Sequence, residues 1–319
     1  MNAVMESLLE VIERDPLPDA YTSSYWKEFG RQAVIERRGG ALTMRGVEFG
    51  AVYARNPVIL GFHAVERLSY ARLTRGLRSY PSVWRATKRL ARELSFGLTF
   101  DVWKPAVVAS LLLDHFTAHE LRPRTFTVIG DGYGFLGALI RRMLPGVRIY
   151  CVDLPTTLLF QVRTHEAADP SARLALFDGD RQAAPGDVSF VLPQAVEQVP
   201  EAIDCAINIA SMQEMNAFTV QTYFTFLRRR STPRSRFYCV NRLRKELPGG
   251  EVASFYEFPW RADDEIFLDE PCPFYTHFIA PYTRPQGPRW HGVRVPFVNH
   301  FDGVHMQRLV RLAPESDGR

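Results

Sequence analysis

The stretch TFTVIGDGYGFLGALIRRMLPGVRIYCVDL, residues 125–154, decides the fold class. Its first part, FTVIG (126–130), is a short β-branched run that ends in glycine and leads into a glycine-rich turn. FLGALIRRML (135–144) has helical periodicity and stops at a Pro-Gly pair, and VRIYCVDL (147–154) is a second apolar run closed by an acid. Strand, helix and strand in this order predict parallel strands joined by a crossover helix.

The same alternation continues toward residue 241. Apolar runs predict further buried strands, and periodic stretches between them predict helices. The strands are expected at 188–192, 205–210 and 237–241, and the helices at 156–167 and 218–229. This pattern predicts an α/β fold, a Rossmann-like doubly wound sheet, with a mostly helical region ahead of it.

The chain before residue 123 has a different, mostly helical pattern, with helices expected at 2–14, 81–96 and 103–120. We therefore expect a helical N-terminal lid and substrate region at 1–122 and a Rossmann-like domain at 123–319.

Two further segments are less regular. Short apolar runs between about 41 and 62 (ALTMRG, VEFGAVY and PVIL) suit extended structure, and the tail from about 250, rich in proline and aromatics, is expected to supply the last strands and part of a substrate pocket.

Composition excludes several classes of protein. Among the 319 residues, 46% are hydrophobic and 23% charged, as in soluble globular proteins, and no apolar run is long enough to span a membrane. The acids in MNAVMESLLEVIERD argue against a signal peptide. The charged residues that give the net charge of +4 are scattered, without the basic stripe that nucleic-acid binding needs.

The four cysteines are widely spaced: Cys151, Cys205, Cys239 and Cys272. This spacing predicts core thiols in a reducing compartment, and hence a cytoplasmic location.

The turn Gly130-Asp131-Gly132-Tyr133-Gly134 is the first candidate for a binding site. Ligands of parallel α/β sheets bind where strands end and helices begin, and glycines allow close approach of the backbone. Asp153 ends the next strand, 21 residues after Gly132, where a carboxylate can accept hydrogen bonds from both ribose hydroxyls of an adenosine. The sequence therefore predicts a nucleoside-containing cofactor.

The spacing alone does not name that cofactor, because Gly132 to Gly137 also satisfies the GxGxxG pattern of dinucleotide enzymes. Three features favour S-adenosylmethionine over a nicotinamide. The turn follows a helical N-terminal third, the bulky Tyr133 stands where a pyrophosphate needs close backbone approach, and no Tyr-x-x-x-Lys pair follows. The absence of a GxxxxGK[ST] sequence excludes a P-loop.

The other cofactor contacts are expected at the ends of neighbouring strands. Leu154 follows Asp153, and Asn208 and Ala210 end the fourth strand. If the third strand is 188–192, Leu192, Pro193 and Gln194 line the adenine pocket; if it is LALF (174–177), Asp178 is the adenine contact.

Four segments together resemble the sugar O-methyltransferase family: VIGDGYGFLGALI, YCVDLPTTLLFQV, INIASMQEMN and FYCVNRLRKELPGG. Members typically show a GxGYG turn, an IDLPETLLL-like segment, an N-x-x-S-x-QEM segment, and a strand that ends in Asn before basic residues. The resemblance covers about 125–260 and, more loosely, the SSYWKEF stretch near 24–29. It implies a Rossmann-like fold and methylation of a sugar hydroxyl by S-adenosylmethionine.

One position departs from the family pattern. Members usually carry an acid two positions before the first glycine, where this chain has Val128. That acid helps to hold the methionine end of the cofactor. Asp131 is the candidate to take over part of this role; otherwise, weaker cofactor binding is expected.

The acceptor side needs a base, because a sugar hydroxyl is a poor nucleophile until its proton begins to leave. Glu214, in the SMQEMN segment after the fourth strand, is the best-placed candidate, and Ser211, Gln213 and Asn216 are candidate substrate-binding groups. The alternative is structural: Glu214 caps the following helix, and Asn208 satisfies backbone groups at the strand end.

Histidines are rival bases. His277 lies in an apolar aromatic run and suits either a base or a satisfied core residue. His300 and His305, with Asp302, suit a base with its orienting acid, a surface loop, or a metal site, so a need for Mg²⁺ is left open. No metal ligand is assigned.

The sequence thus predicts an S-adenosylmethionine-dependent O-methyltransferase with a small sugar-type acceptor and without a nucleic-acid or membrane partner. The oligomeric state stays open, and a homo-oligomer is compatible with the sequence. Two alternatives remain: an NAD(P)-dependent oxidoreductase on a related sheet, and a non-catalytic binding protein that retains the methyltransferase fold.

Overall fold

The computed structural model describes residues 2–15, 19–30, 34–38, 41–45, 51–179 and 184–315. Its helices are α1 (Ala3–Arg14), α2 (Ser24–Gly30), α3 (Pro57–Ser69), α4 (Ala71–Gly76), α5 (Tyr80–Glu93), α6 (Phe100–Ala118), α7 (Phe135–Met143), α8 (Pro155–Ala168) and α9 (Ala217–Arg229). Short 3-10 turns lie at Pro193–Gln198, Met212–Glu214 and Phe255–Glu257.

The strands are β1 (Val34–Arg38), β2 (Ala41–Arg45), β3 (Thr125–Ile129), β4 (Arg148–Val152), β5 (Leu174–Phe177), β6 (Val188–Val191), β7 (Cys205–Ile209), β8 (Arg236–Arg242), β9 (Arg244–Glu246), β10 (Val252–Ser254), β11 (Glu265–Pro271), β12 (His277–Ile279), β13 (Arg289–Trp290), β14 (Val293–Arg294), β15 (Val298–His300) and β16 (His305–Arg311).

The chain forms two compact units, and each is discontinuous in sequence. The first unit contains Met1–Phe49, Pro123–Glu270 and Met306–Arg319; the second contains Gly50–Arg122 and Pro271–His305. The predicted border at residues 122–123 coincides with one border between units. Residues 1–49 group with the sheet, however, and 271–305 group with the helices of the second unit. The division into 1–122 and 123–319 stays a prediction.

The first unit is built on an eight-stranded sheet with the order β11-β16-β8-β7-β3-β4-β6-β5. The six strands from β8 to β5 pair in parallel. Both β3 and β6 are buried along their whole length, as expected when helices cover both faces of a parallel sheet. This arrangement confirms the predicted α/β fold class, a Rossmann-like doubly wound sheet.

The strand order reverses beside β3. From β3 the chain proceeds to β4 and β6 on one side, and β7 and β8 lie on the other. In the register, Ile129 pairs with Val152 of β4 and Asn208 of β7, so the carboxyl ends of these three strands meet at one edge. Such a switch point is where doubly wound sheets bind their ligands.

Of the two segments considered for the third strand, 188–192 and LALF (174–177), the first takes this position in the sheet, as β6. β6 pairs directly with β4, through Ile149 and Val188. LALF also forms a strand, β5, but it lies outside β6 at the edge of the sheet.

The predicted helices of the N-terminal part are confirmed as α1, α5 and α6. The extended structure expected for PVIL is wrong, since these residues open α3. Asn56 Oδ1 accepts a hydrogen bond from the amide of Val58, and Pro57 occupies the first helical position. Both are strong signals for a helix start. ALTMRG contains β2, whereas part of VEFGAVY lies outside the described residues.

None of the helices in the described ranges is both long and apolar enough to cross a membrane. The four cysteines are free and buried, as predicted for core thiols.

Candidate functional site

The glycine-rich turn lies between β3 and α7, at the switch point of the sheet. Gly130, Gly132 and Gly134 have φ values of 73°, 57° and 78°, a region that favours glycine. A Cβ on Gly130 would lie 2.1 Å from Ser211 Oγ, and one on Gly134 would lie 3.0 Å from the Cα of Gln161. Conformation therefore favours glycine at all three positions, and space requires it at Gly130 and Gly134 as well.

Asp131 caps the helix that follows the turn. Its Oδ1 accepts a hydrogen bond from the amide of Leu136 at 3.2 Å, and its Oδ2 accepts one from the amide of Gly137 at 2.8 Å. Val128 is 2% exposed inside β3, paired between two core strands. The carboxylate of Asp131 is thus used by α7, and this role explains an acid in the turn without any cofactor.

Asp153 is a buried carboxyl group at the carboxyl end of β4. Its Oδ1 accepts from the amide of Leu154 at 2.9 Å, and its Oδ2 accepts from Gln161 Nε2 at 2.8 Å. Burial raises the pKa of Asp153 to about 7, with a further contribution from the charge of Asp131. Gln161 Oε1 is buried without a hydrogen-bond partner. This pair of side chains offers acceptors to a ligand with hydroxyl donors.

The two alternatives for the adenine contact lie together. Gln194 is exposed at the start of the turn after β6, and its Nε2 donates to the carbonyl oxygen of Asp178, after β5, at 3.4 Å. Pro193 is buried at the same turn, and Leu154 is 7% exposed at the start of α8. The loops that follow β5 and β6 therefore lie side by side, and both assignments of the adenine contact stay predictions.

Asn208 holds the ends of three strands together. Its Nδ2 donates to the carbonyl oxygen of Ile129 and to Ser211 Oγ, while its Oδ1 accepts from the amide of Met212 and from Asn241 Nδ2. An asparagine side chain has two donors and two acceptor sites, so all four are used. Asn208 thus has no group left for the cofactor contact that the sequence suggested; its role is structural.

The loop after β7 begins with strained backbone. Ala210 has φ +58°, and its amide donates to the carbonyl oxygen of Val240. A left-handed conformation costs a non-glycine residue about 1 kcal/mol. This left-handed conformation of Ala210 turns the chain from β7 into the SMQEMN segment.

The three polar residues predicted to bind substrate hold this loop in place. Ser211 Oγ donates to the carbonyl oxygen of Ile129 at 3.1 Å. Gln213 is 4% exposed, and its Oε1 accepts from the amide of Arg242 at 2.6 Å. Asn216 caps α9, with its Oδ1 accepting from the amide of Thr219. Local backbone groups use these side chains, and substrate binding by them stays a prediction.

Glu214 lies in the 3-10 turn of the same loop. Lys245 Nζ donates to its Oε1 at 2.6 Å, and the same ammonium lies 4.2 Å from the ring centroid of Tyr25. Burial raises the pKa of Glu214, although Lys245 and Arg242 lower it. Burial and the charge of Glu214 raise the pKa of Tyr25 to about 12. A partly exposed carboxylate with a raised pKa, held by one cation, has the properties of a general base.

The segment near Ser23 and Tyr25 joins this group. Ser23 Oγ donates to the carbonyl oxygen of Glu214, and Ser24 Oγ donates to Glu251 Oε2 at 2.6 Å. SSYWKEF, SMQEMN and the basic segment after β8 were quoted separately for the family resemblance, and the structure brings them together. Sequence reasoning did not single out Tyr25, Gln161, Asn241 or Lys245, although all but Tyr25 lie within well-matched segments.

The histidine candidates belong to the second unit. His277 uses both ring nitrogens: Nε2 lies 2.7 Å from Ser69 Oγ and Nδ1 lies 3.0 Å from Thr276 Oγ1. Its ring stacks on Tyr70 at 4.5 Å, and burial lowers its pKa, as does His300. His277 is therefore a satisfied structural histidine. His300 is exposed and pairs with it across β12 and β15.

The metal alternative has no support in the described part of the chain. No three His, Cys, Asp or Glu side chains there come together as a metal site. His305 is 4% exposed and stacks on Tyr275 at 4.2 Å, whereas Asp302 is exposed. A role for Mg²⁺ is therefore not supported.

Comparison with known proteins gives only distant similarity. No family model and no curated protein matches the chain. TehB from Haemophilus influenzae is 14% identical over 63% of this chain and 60% of its own, with a TM-score of 0.41. TrmN from Thermus thermophilus is 10% identical over 64% of this chain and 48% of its own, with a TM-score of 0.38.

A third similar structure is the TehB-like SAM-dependent methyltransferase from Corynebacterium glutamicum. It is 12% identical over 62% of this chain and 84% of its own, with a TM-score of 0.37. Similarities of this size identify no family, and the fold assignment is established by the strand order and register of the sheet itself.

Proposed function

We propose that the chain is an S-adenosylmethionine-dependent methyltransferase. The observation that carries this proposal is Asp153, a buried carboxyl group at the carboxyl end of β4, next in the sheet to the left-handed glycine turn at the end of β3. A carboxylate in this place suits the two hydroxyls of an adenosine ribose. Gln161 Oε1, buried and unpartnered, offers a further acceptor.

Asp131 favours this cofactor over a dinucleotide. In dinucleotide-binding folds, the pyrophosphate lies against free amides at the N-terminus of the helix after the turn. Here the carboxylate of Asp131 accepts the amides of Leu136 and Gly137. A pyrophosphate would face this negative charge, whereas a sulfonium is cationic. The NAD(P)-dependent alternative is disfavoured for this reason.

The cofactor would be held by Gly130, Asp131, Gly132, Tyr133, Gly134, Asp153, Leu154, Pro193, Gln194 and Ala210. Asp131 would act through its charge, and Asn208 would support the strand ends. When bound, S-adenosylmethionine supplies a methyl group activated by its positive sulfur. The chain's own residues must then position the acceptor and remove its proton.

We assign proton removal to Glu214 and propose a hydroxyl of a sugar or glycosylated metabolite as the acceptor. The raised pKa of Glu214 makes it a stronger base than an exposed carboxylate, and the contact with Lys245 holds one oxygen in place. The sugar class rests on the resemblance of the four quoted segments. Ser211, Gln213 and Asn216 would fix the loop that carries Glu214.

Isothermal titration calorimetry with S-adenosylmethionine and S-adenosylhomocysteine tests the cofactor. We expect micromolar binding, and at least tenfold weaker binding in Asp153→Ala, because the ribose hydroxyls lose a charged acceptor. Asp263→Ala, a change of the same type at an exposed position, is the control and should bind normally.

The competing functions give different results. Folded protein that shows no heat with either ligand contradicts the proposal, and thermal stabilisation by NAD or NADP alone indicates an oxidoreductase. Binding without methyl transfer to any member of a panel of free sugars, nucleotide sugars and glycosides indicates a non-catalytic protein.

A further inference from the structure

The second unit contains a cavity of about 330 Å³. Helix α3, the first turn of α6, the segment 275–282 and Phe301 line it, and all of them belong to this unit. Its volume is at the lower end of the range for small-molecule sites in proteins. The cavity needs no residue of the cofactor turn.

One face of α3 forms a wall of this cavity. Ile59, Phe62, His63 and Glu66 all line it, and their spacing of three and four residues places them on the same side of a helix. The opposite side is aromatic: Phe301 lies 5.5 Å from Phe100 and 5.2 Å from Phe278, measured between ring centroids. Flat rings on several sides suit a planar ligand.

The charged pair that lines the cavity, Asp101 and Lys104, has its hydrogen-bond partners within the protein. Asp101 accepts from Lys104 Nζ at 3.4 Å and from the amide of Ala51 at 2.9 Å. Lys104 also donates to the hydroxyl of Tyr275 at 2.9 Å. These contacts neutralise the pair, so the cavity does not require a charged ligand.

Among the described residues that line the cavity, Glu66 has a buried side-chain oxygen without a hydrogen-bond partner. It is 1% exposed, its Oε2 lies 3.1 Å from His63 Nδ1, and its Oε1 has no hydrogen-bond partner. The amide of Phe100 also donates to His63 Nδ1, at 3.3 Å. Burial raises the pKa of Glu66, although the hydrogen bond and charge of His63 lower it.

We propose that this cavity binds a planar, mostly apolar aromatic alcohol whose hydroxyl donates to Glu66 Oε1. The aromatic walls take the ring system, and the unpaired carbonyl-type oxygen of Glu66 takes the single donor. A free sugar does not fit this chemistry, because most of its hydroxyls would be buried without hydrogen-bond partners, which is unfavourable.

Equilibrium dialysis with three probes tests the ligand class: 2-naphthol, naphthalene and methyl α-glucoside. We expect 2-naphthol to bind roughly five- to tenfold more tightly than naphthalene, the ratio that one hydrogen bond supplies, and the glucoside to bind not measurably. Equal binding of 2-naphthol and naphthalene, or tighter binding of the glucoside, overturns the proposal.

Two substitutions of Glu66 test the polar contact. Glu66→Gln keeps a carbonyl oxygen and should bind 2-naphthol within about twofold of the unchanged chain, whereas Glu66→Leu should reduce binding of 2-naphthol to the level of naphthalene. If Glu66→Gln loses as much affinity as Glu66→Leu, a carbonyl oxygen at this position does not accept the ligand's hydroxyl, and the proposed contact is wrong.

A third pair of variants locates the ligand and does not depend on the fold tolerating a change at Glu66. Ala51 lines the cavity yet is exposed, so Ala51→Trp fills its rim without disturbing the core. Val65 is 54% exposed on α3 and does not line the cavity, so Val65→Trp is the control. We expect Ala51→Trp to weaken 2-naphthol binding at least tenfold and Val65→Trp to leave it unchanged. An unchanged affinity in Ala51→Trp, or equal losses in both, overturns the site.

Discussion

At the scale of single residues, Asp153 links the chemistry of the proposed site to pH. Its pKa of about 7 means that the free protein holds this carboxyl group protonated below neutrality. Hydroxyl donors favour the carboxylate, so a bound ribose should lower the pKa and release a proton. We therefore expect the affinity for S-adenosylhomocysteine to rise between pH 5 and pH 7 and to level off above about pH 8.

Asp153→Asn separates this effect from other titrations. The variant cannot ionise at this position, so its affinity for S-adenosylhomocysteine should be lower and nearly independent of pH over the same range, as measured by calorimetry.

The raised pKa of Asp153 has a second consequence, for the stability of the free protein. The folded chain keeps a proton that the unfolded chain releases near pH 4, so this group lowers the free energy of unfolding as pH rises from about 4 to 7. If the free energy of unfolding of Asp153→Asn falls with pH to the same extent, another ionisable group is responsible for the fall.

Glu214 gives a kinetic prediction. If it removes the proton of the acceptor, Glu214→Gln should lower kcat by about 10²- to 10⁴-fold while the KM for S-adenosylmethionine changes little. Radiolabelled methyl transfer to the best acceptor of the sugar panel measures this. Glu257→Gln removes an exposed carboxylate of the same first unit and is the control, with kcat expected within twofold. A comparable loss in both variants, or none in Glu214→Gln, contradicts the assignment.

At the scale of elements, α7 depends on a carboxylate from the turn before it. Asp131→Ala leaves the amides of Leu136 and Gly137 without their acceptor and should lower the free energy of unfolding by about 1 kcal/mol, as measured by urea denaturation. Asp263→Ala is again the control, with a change within about 0.5 kcal/mol. Equal stability of the two variants would show that water caps α7 as well as Asp131 does.

Most of the described helices and most of the parallel strands of the sheet could be predicted from the sequence, because their apolar residues recur with the period of one structure, whereas the short strands β9 to β15 could not. PVIL is an instructive failure: four apolar residues suit a strand, but Asn56 and Pro57 before them start a helix. Its face of Ile59, Phe62, His63 and Glu66 was readable from the spacing, yet only the fold reveals the aromatic rings opposite it.

The polar residues of the site show a second limit of sequence. Asn208, Ser211, Gln213 and Asn216 have side chains that suit a ligand, but residue type does not reveal which backbone groups lie beside them. In the folded chain, those groups come from Ile129, Met212, Arg242 and Thr219. Asp153 and the glycines were predictable because strand ends and turns place them directly.

At the scale of the whole molecule, contacts between segments that are distant in sequence determine which residues belong to each of the two units. The pattern change near residue 123 is local and visible in the sequence. The grouping of 271–305 with 50–122 depends on pairs such as Tyr70 with His277, which are 207 positions apart in the chain. Periodicity contains no information about such pairs, so the discontinuous units could not be derived from it.

A buried ion pair connects the sequence-distant parts of the first unit. The helix predicted over 218–229 is confirmed as α9, which ends at Arg229. Arg228, however, is buried: its guanidinium makes two bonds to Asp264, at 2.6 and 2.9 Å, and the two side chains are 1% and 2% exposed. It also donates to the carbonyl oxygen of Ala313, beyond β16.

Removal of one partner of this pair should therefore destabilise the first unit strongly. Asp264→Ala leaves a buried guanidinium without its counter-charge, and we expect the free energy of unfolding to fall by about 3–5 kcal/mol in urea denaturation. The adjacent Arg229 pairs with Glu197, but both side chains are about half exposed, so Glu197→Ala should lower it by at most about 1 kcal/mol. Similar losses in the two variants would mean that burial does not strengthen the Arg228 pair, and that the C-terminal segment is held by apolar packing instead.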